Sequence, residues 1–293
     1  MVLRLRGCVP LRARVHPDHA PIRHRPSGTA ANVGTPNPVH QRVSGSRIRP
    51  RSRRSATVGR KRFRRSKLLT VAALIPTTGE HESFVNAMES LGHRGAPTTI
   101  GRIPCLSYWD GRLIVAQGGL GKVDFAVRTL HLIERGPPLN GVICLGTCGA
   151  LTPDLAIGDI VVATETVEHD FNRKLTEGPI PRFVSDRSLL TTFKSAQTSL
   201  PLDISVVCGP IASGDEGIDS TARARELIDK TGGIVAAWEG AGGAKACNFA
   251  GVPYVEVRCV SDLADEDSQT DFRENTPVAM SNLARLMTCF RES

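Results

Sequence analysis

The sequence predicts an α/β protein: a single three-layer domain with a central mixed sheet flanked by helices, preceded by a disordered basic arm. Three observations carry that expectation. From Lys67 onward, apolar runs of strand length alternate with helix-length segments. Several of those runs end in glycine-rich segments. The composition also changes abruptly at Lys67, which sets residues 1–66 apart from a domain over 67–293.

The elements follow in order. Leu68 to Ile75 is an apolar run of strand length, and Pro76 to Gly79 a turn into a helix from Glu80 to Leu91. Leu106 to Gln117 has the texture of a hairpin with Asp110-Gly111 at its turn. Gly118-Gly119-Leu120-Gly121-Lys122 then leads into a helix from Val123 to Arg135. A buried strand from Gly141 to Leu145 is expected to end in a turn, Gly146-Thr147-Cys148-Gly149-Ala150. Strands Asp159 to Thr164 and Ser205 to Ile211, helices Ser220 to Lys230 and Glu239 to Phe249, strand Tyr254 to Val260 and helix Pro277 to Phe290 complete the alternation. Continuous apolar strands between helices imply a sheet covered on both faces.

The chain has 293 residues and a formal net charge of +8, but the charge is unevenly placed. Residues 1 to 67 hold 16 Arg, 2 Lys and one acid, Asp18, whereas the remainder holds 19 basic and 28 acidic residues. The domain is therefore acidic and lacks the electrostatic footprint of a nucleic-acid-binding surface. Residues 1–66, crowded with Arg, Pro, Gly and Ser, cannot bury enough apolar surface to offset ordering entropy and are expected to be disordered. Nucleic-acid binding by this arm, or a transit role, carries less weight than a dispensable tail or a start codon placed too early.

Eight cysteines are dispersed without a CxxC pair or a histidine at zinc spacing. Segments such as Val142-Ile143-Cys144-Leu145 make them small buried hydrophobes of a reducing compartment, so neither metal, disulfide nor cofactor is expected. No apolar run approaches the roughly 20 residues that span a bilayer, and a cytoplasmic location is expected.

In sheets of this kind ligands bind at the carboxyl ends of strands. Three segments place chemistry there. Gly146 to Ala150 offers glycines for close backbone approach and the Thr147 hydroxyl. Trp238-Glu239-Gly240-Ala241-Gly242-Gly243-Ala244 opens a helix of small residues with one carboxylate, which suits either the helix dipole or a cis-diol. Arg258-Cys259-Val260-Ser261-Asp262 ends a strand with an Arg and an Asp, equally consistent with a structural ion pair and with a reactive site.

Taken in order, these segments resemble the purine nucleoside phosphorylase/nucleosidase superfamily, and within it the nucleosidases of methylthioadenosine and S-adenosylhomocysteine. The motifs include Gly119-Leu120-Gly121-Lys122-Val123, Gly146-Thr147-Cys148-Gly149, His169-Asp170, Ser213-Gly214-Asp215, Glu239-Gly240-Ala241 and Arg258 to Asp265, and the resemblance runs from about Lys67 to about Phe290. It implies hydrolysis of the N-glycosidic bond of an adenine nucleoside. Asp262 would be the general acid on purine N7, Glu239 would hold the ribose hydroxyls, and Arg258 and Ser261 would steady the acidic groups and the water. Thr147 and Gly149 would line the pocket. Glu80 or Glu82 would activate water, with Glu80 preferred, and such an acid–base pair requires carboxyls of different pKa. A homodimer is also implied.

The sequence departs from that pattern twice: Gly217, followed by Ile218, stands where an aromatic residue is expected beside the base, and Trp238 stands before the ribose glutamate. The phosphorolytic branch carries an Arg at the position of Cys144, so water is the expected nucleophile. Phosphorolysis, hydrolysis of another modified nucleoside, and a non-catalytic binding protein are the alternatives.

Overall fold

The computed structural model describes residues 70–176 and 178–292; the arm expected over 1–66 lies outside them. The chain opens with strand β1 (Val71–Ile75), every residue of which is buried. Helix α1 (Thr78–Ser90) follows, started by a capping box: Thr77 accepts from the Glu80 amide while the Glu80 carboxylate accepts from the Thr77 amide.

Next come β2 (Ala96–Ile100), β3 (Ile103–Tyr108), β4 (Leu113–Gln117), α2 (Gly121–Arg135), β5 (Gly141–Ala150) and β6 (Ile160–Glu168). The second half holds β7 (Arg182–Val184), α3 (Arg187–Ala196), β8 (Val206–Ser213), α4 (Thr221–Thr231), β9 (Val235–Ala237), α5 (Gly240–Ala250), β10 (Tyr254–Asp262) and α6 (Ser268–Glu292).

Neighbouring strands run β10-β6-β8-β9-β5-β1-β4-β3-β2, with β7 on β6. The sheet is mixed: β1 is parallel to β4 and β5, while β3 is antiparallel to β4. It also closes on itself, because β10 pairs with β5 as well as with β6. Strands β1, β4, β3 and β2 extend from β5 as an open wing.

The three layers follow from alternation along β1. Ala73 and Ile75 join a core with Phe84 and Met88 of α1, Phe193 of α3 and Met280, Leu283 and Met287 of α6. Ala72 and Leu74 face the opposite core, with Phe125 and Leu132 of α2 and Ala244 and Cys247 of α5. Truncating a fully buried side chain such as Phe84 to Ala would cost about 3–5 kcal/mol.

One pairing detail creates the site. β1 accompanies one edge of β5 as far as Cys144, and β9 joins that strand at Gly149. Gly146 and Thr147 fall in the gap, at the carboxyl end of β1.

Several expectations need correction. Gly146 to Ala150 is not a turn but the second half of β5, since β10 pairs with it throughout. Strands β6 and β8 run on to Glu168 and Ser213. Helix α6 begins at Ser268 and carries Pro277 inside it, so the proline does not mark its start. β2, β7, β9 and α3 are further elements that apolar periodicity did not mark.

Candidate active site

Asp262, Glu239, Glu80, Arg258, Ser261, Thr147, Gly149, Trp238 and Ile218, widely separated in sequence, all line one cavity of about 600 Å³. Glu82 does not: it is exposed on α1, two residues round the helix from the buried Glu80. This separates the two glutamates that the sequence left in competition.

Glu80 is held by four contacts. Its Oε2 accepts from the Thr77 amide (3.1 Å) and hydroxyl (2.7 Å), and its Oε1 from the Thr147 amide and hydroxyl (both 2.8 Å). The amide of Thr147, left without a strand partner in the gap of β5, is thus satisfied by a side chain from α1.

Glycines were expected to let backbone approach a ligand; here two of them admit the protein's own charged groups. A Cβ at position 146 would lie 2.7 Å from Arg258 Nη1 and 2.9 Å from Glu80 Oε1. At position 149 it would lie 2.6 Å from Asp262 Oδ1.

Arg258 is buried on β10 and spends its donors in four directions. Nε donates to Glu256 Oε1 (2.8 Å), Nη1 to the Thr147 carbonyl (3.3 Å), and Nη2 to Glu239 Oε2 (3.1 Å) and Cys144 Sγ (3.2 Å). Its ion pairs are therefore with two glutamates, and the Arg258–Asp262 pair that the sequence allowed is not the one formed.

Glu239 sits immediately before α5, and its Oε1 accepts from the Gly121 amide at 3.2 Å. Burial raises its pKa, and Arg258 draws it back down.

Asp262 ends β10 beside a register shift. Ser261 Oγ donates to its Oδ2 (2.9 Å) and the Ala264 amide to its Oδ1 (3.1 Å). Ala264 takes a left-handed φ of 51°, a strained conformation for a residue with a Cβ, and so brings its N–H near the carboxylate. Burial raises the Asp262 pKa, with the two hydrogen bonds opposing it. The net direction is upward, so the pocket favours the protonated form of Asp262 more than water favours that of a free carboxyl.

Sequence reasoning missed Thr77, Leu120, Gln269 and Phe272 of the lining, together with Glu256 behind Arg258. The Thr77 to Glu80 spacing carried a capping-box signal. Gln269 and Phe272 lie on the first turns of α6, ahead of the predicted helix start.

The model of the phosphorylase superfamily matches residues 69–290. The chain belongs to the phosphorylase superfamily. Within this superfamily, the chain is similar to the 5′-methylthioadenosine/S-adenosylhomocysteine nucleosidase of Anoxybacillus flavithermus, 30% identical over 225 residues that cover 70% of this chain and 96% of the relative. The enzyme of the same name from Exiguobacterium sp. is 31% identical over 184 residues, 60% of this chain and 78% of the relative. Among solved structures, the Helicobacter pylori nucleosidase has a TM-score of 0.69 at 25% identity, covering 77% of this chain and 98% of its own. The Neisseria meningitidis nucleosidase, in complex with methylthio-immucillin-A, has a TM-score of 0.66 at 27% identity, covering 76% and 99%.

Proposed function

We infer that this phosphorylase-superfamily member is a nucleosidase, hydrolysing the N-glycosidic bond of an adenine nucleoside of the methylthioadenosine/S-adenosylhomocysteine type to free base and sugar. The observation that carries the reading is the charge of the cavity. Five carboxyl groups line it, the buried Glu80, Glu239 and Asp262 and the more exposed Glu216 and Asp219, and Arg258 is the one guanidinium or ammonium among the lining residues. That guanidinium is already engaged by Glu239 and Glu256. A phosphate dianion needs unspent arginine donors, whereas a sugar acquiring positive charge is stabilised by buried carboxylates. Cys144, at the position where the phosphorolytic branch carries Arg, is buried against Arg258.

In this mechanism Asp262 gives its proton to purine N7 as the bond to C1′ lengthens, so the base leaves neutral. Glu239 accepts from the ribose 2′- and 3′-hydroxyls. Glu80 takes a proton from water as the oxygen bonds to C1′, and Thr147 fixes its carboxylate. Trp238 supplies an aromatic face where the family pattern has an aromatic at the position of Gly217. A Cβ on Gly217 would lie 3.9 Å from the indole, so the ring fills the space beside that glycine.

The homodimer belongs to the same proposal. Leu120, Val123 and Val127 are 58%, 72% and 63% exposed at the start of α2, and Leu120 also lines the cavity. A second copy seated on that face would cover the cavity rim.

The test is chromatography of a nucleoside panel with and without phosphate. Free adenine and a reducing sugar, at a rate indifferent to phosphate, are expected from 5′-methylthioadenosine. A sugar 1-phosphate formed only with phosphate would overturn the hydrolytic reading.

A further inference from the structure

Glu256 is a fully buried carboxylate outside the cavity lining, and the mechanism above gives it no role. It lies on β10 between Tyr254 and Arg258, and alternation puts these three side chains on one face of the strand. Val255, Val257 and Cys259 take the other face, in the larger apolar core.

All three converge on the start of α5. Tyr254 donates its hydroxyl to the Gly240 carbonyl (2.8 Å), and Arg258 donates Nη2 to Glu239. The Glu256 carboxylate packs directly on Gly240, where any Cβ would collide with it. Its two oxygens are divided: Oε1 accepts Arg258 Nε at 2.8 Å, and Oε2 accepts the Thr166 hydroxyl of β6 at 2.7 Å.

This division has a geometric consequence. A guanidinium offers its Nε–Nη edge as a fork that grips a carboxylate with two parallel bonds. With its Nε–H committed to Glu256, Arg258 meets Glu239 through a single Nη2 donor. Glu239 therefore keeps lone pairs for other partners, with the Gly121 amide fixing its far oxygen. Without Glu256, the buried Nε–H would have no acceptor on that side, and Glu239 would be the nearest carboxylate for the fork to turn toward.

We propose that Glu256 is a positioning residue: by engaging Arg258 Nε from behind, and itself steered by Thr166, it keeps Glu239 free to receive a sugar cis-diol. The proposal rests on the reading of Glu239 as the ribose-binding carboxylate.

The test compares Glu256→Leu and Glu256→Gln by melting temperature, by KM and kcat for 5′-methylthioadenosine, and by the inhibition constant of a 2′,3′-dideoxyadenosine analogue. Losing one contact to each hydroxyl raises KM by about tenfold or more in the Leu variant, since 1.4 kcal/mol is a factor of ten. The dideoxy inhibition constant stays unchanged because that ligand has no diol to lose. Gln still offers an oxygen to Arg258 Nε and holds KM within about threefold of wild type. If the Leu variant does not fold, Thr166→Val gives the same split through loss of the steering hydroxyl, with KM raised about threefold. A folded Leu or Val variant with unchanged KM, or one weakening diol and dideoxy ligands equally, overturns the role of Glu256. Wild-type protein that releases no base overturns the functional reading and this inference together, so the two failures are distinguishable.

Discussion

Glu80 Oε1 accepts both hydrogen bonds that Thr147 can donate, from its amide and from its hydroxyl, each at 2.8 Å. The contact joins the first turn of α1 to the gap in β5 and holds the proposed base toward the cavity. Thr147→Val keeps the amide and the shape but removes the hydroxyl. The expected result is a kcat about fivefold lower with KM within about twofold, since roughly 1 kcal/mol of orientation is lost. Steady-state adenine release measures it, and a wild-type kcat would remove the contact from the mechanism.

The two glutamates of α1 are expected to part company. Glu80→Gln keeps the side-chain volume but cannot accept the water proton, so kcat should fall by about 10²-fold or more. Glu82→Gln, on the exposed side of the helix, should turn over like wild type. Equal losses in both variants would indicate damage to the helix and not lost chemistry.

Gly146→Ala tests the close approach of Glu80 and Arg258. The added methyl meets Arg258 Nη1 and Glu80 Oε1 inside 3 Å, and overpacking of this kind costs about 1–3 kcal/mol. Denaturant titration should show that loss together with reduced turnover. A variant with wild-type stability would mean that the two charged groups move apart freely.

Much of this was legible in the sequence. β1, β5, β6, β8 and β10 stood out because burial on both faces demands continuous apolar runs. The remaining elements carried weaker signals. β2 is mostly exposed and contains Pro97, while β7 and β9 are three residues each, too short for any period to register. Pro277 read as a helix start because proline favours the first turn, yet α6 accommodates it well inside. The motif residues of the site could be named from their spacing, but their partners could not. That Arg258 pairs with Glu239 and Glu256, and not with Asp262, depends on which faces of β10 and α5 meet. The choice between Glu80 and Glu82 likewise waited on the phase of α1.

The Asp262 pKa gives a pH prediction with a definite sign. Burial raises it, and the Ser261 hydroxyl opposes that by stabilising the ionised form. Ser261→Ala removes the opposition, so Asp262 stays protonated to higher pH. If protonated Asp262 is the required acid, the alkaline limb of the kcat/KM profile should move to higher pH in this variant. An unmoved limb, or one displaced toward acid, would assign that limb to another group.

The central claim is that Asp262 transfers a proton to the leaving base, and single-turnover adenine release by Asp262→Asn tests it most directly. Asparagine keeps the shape and can still donate a hydrogen bond, but it has no proton to give up. Positioned acids contribute about 10²–10⁴-fold, so the variant should melt near the wild-type temperature, bind 5′-methylthioadenosine, and release adenine at least about a hundredfold more slowly. A folded Asp262→Asn protein releasing adenine at close to the wild-type rate would contradict the account.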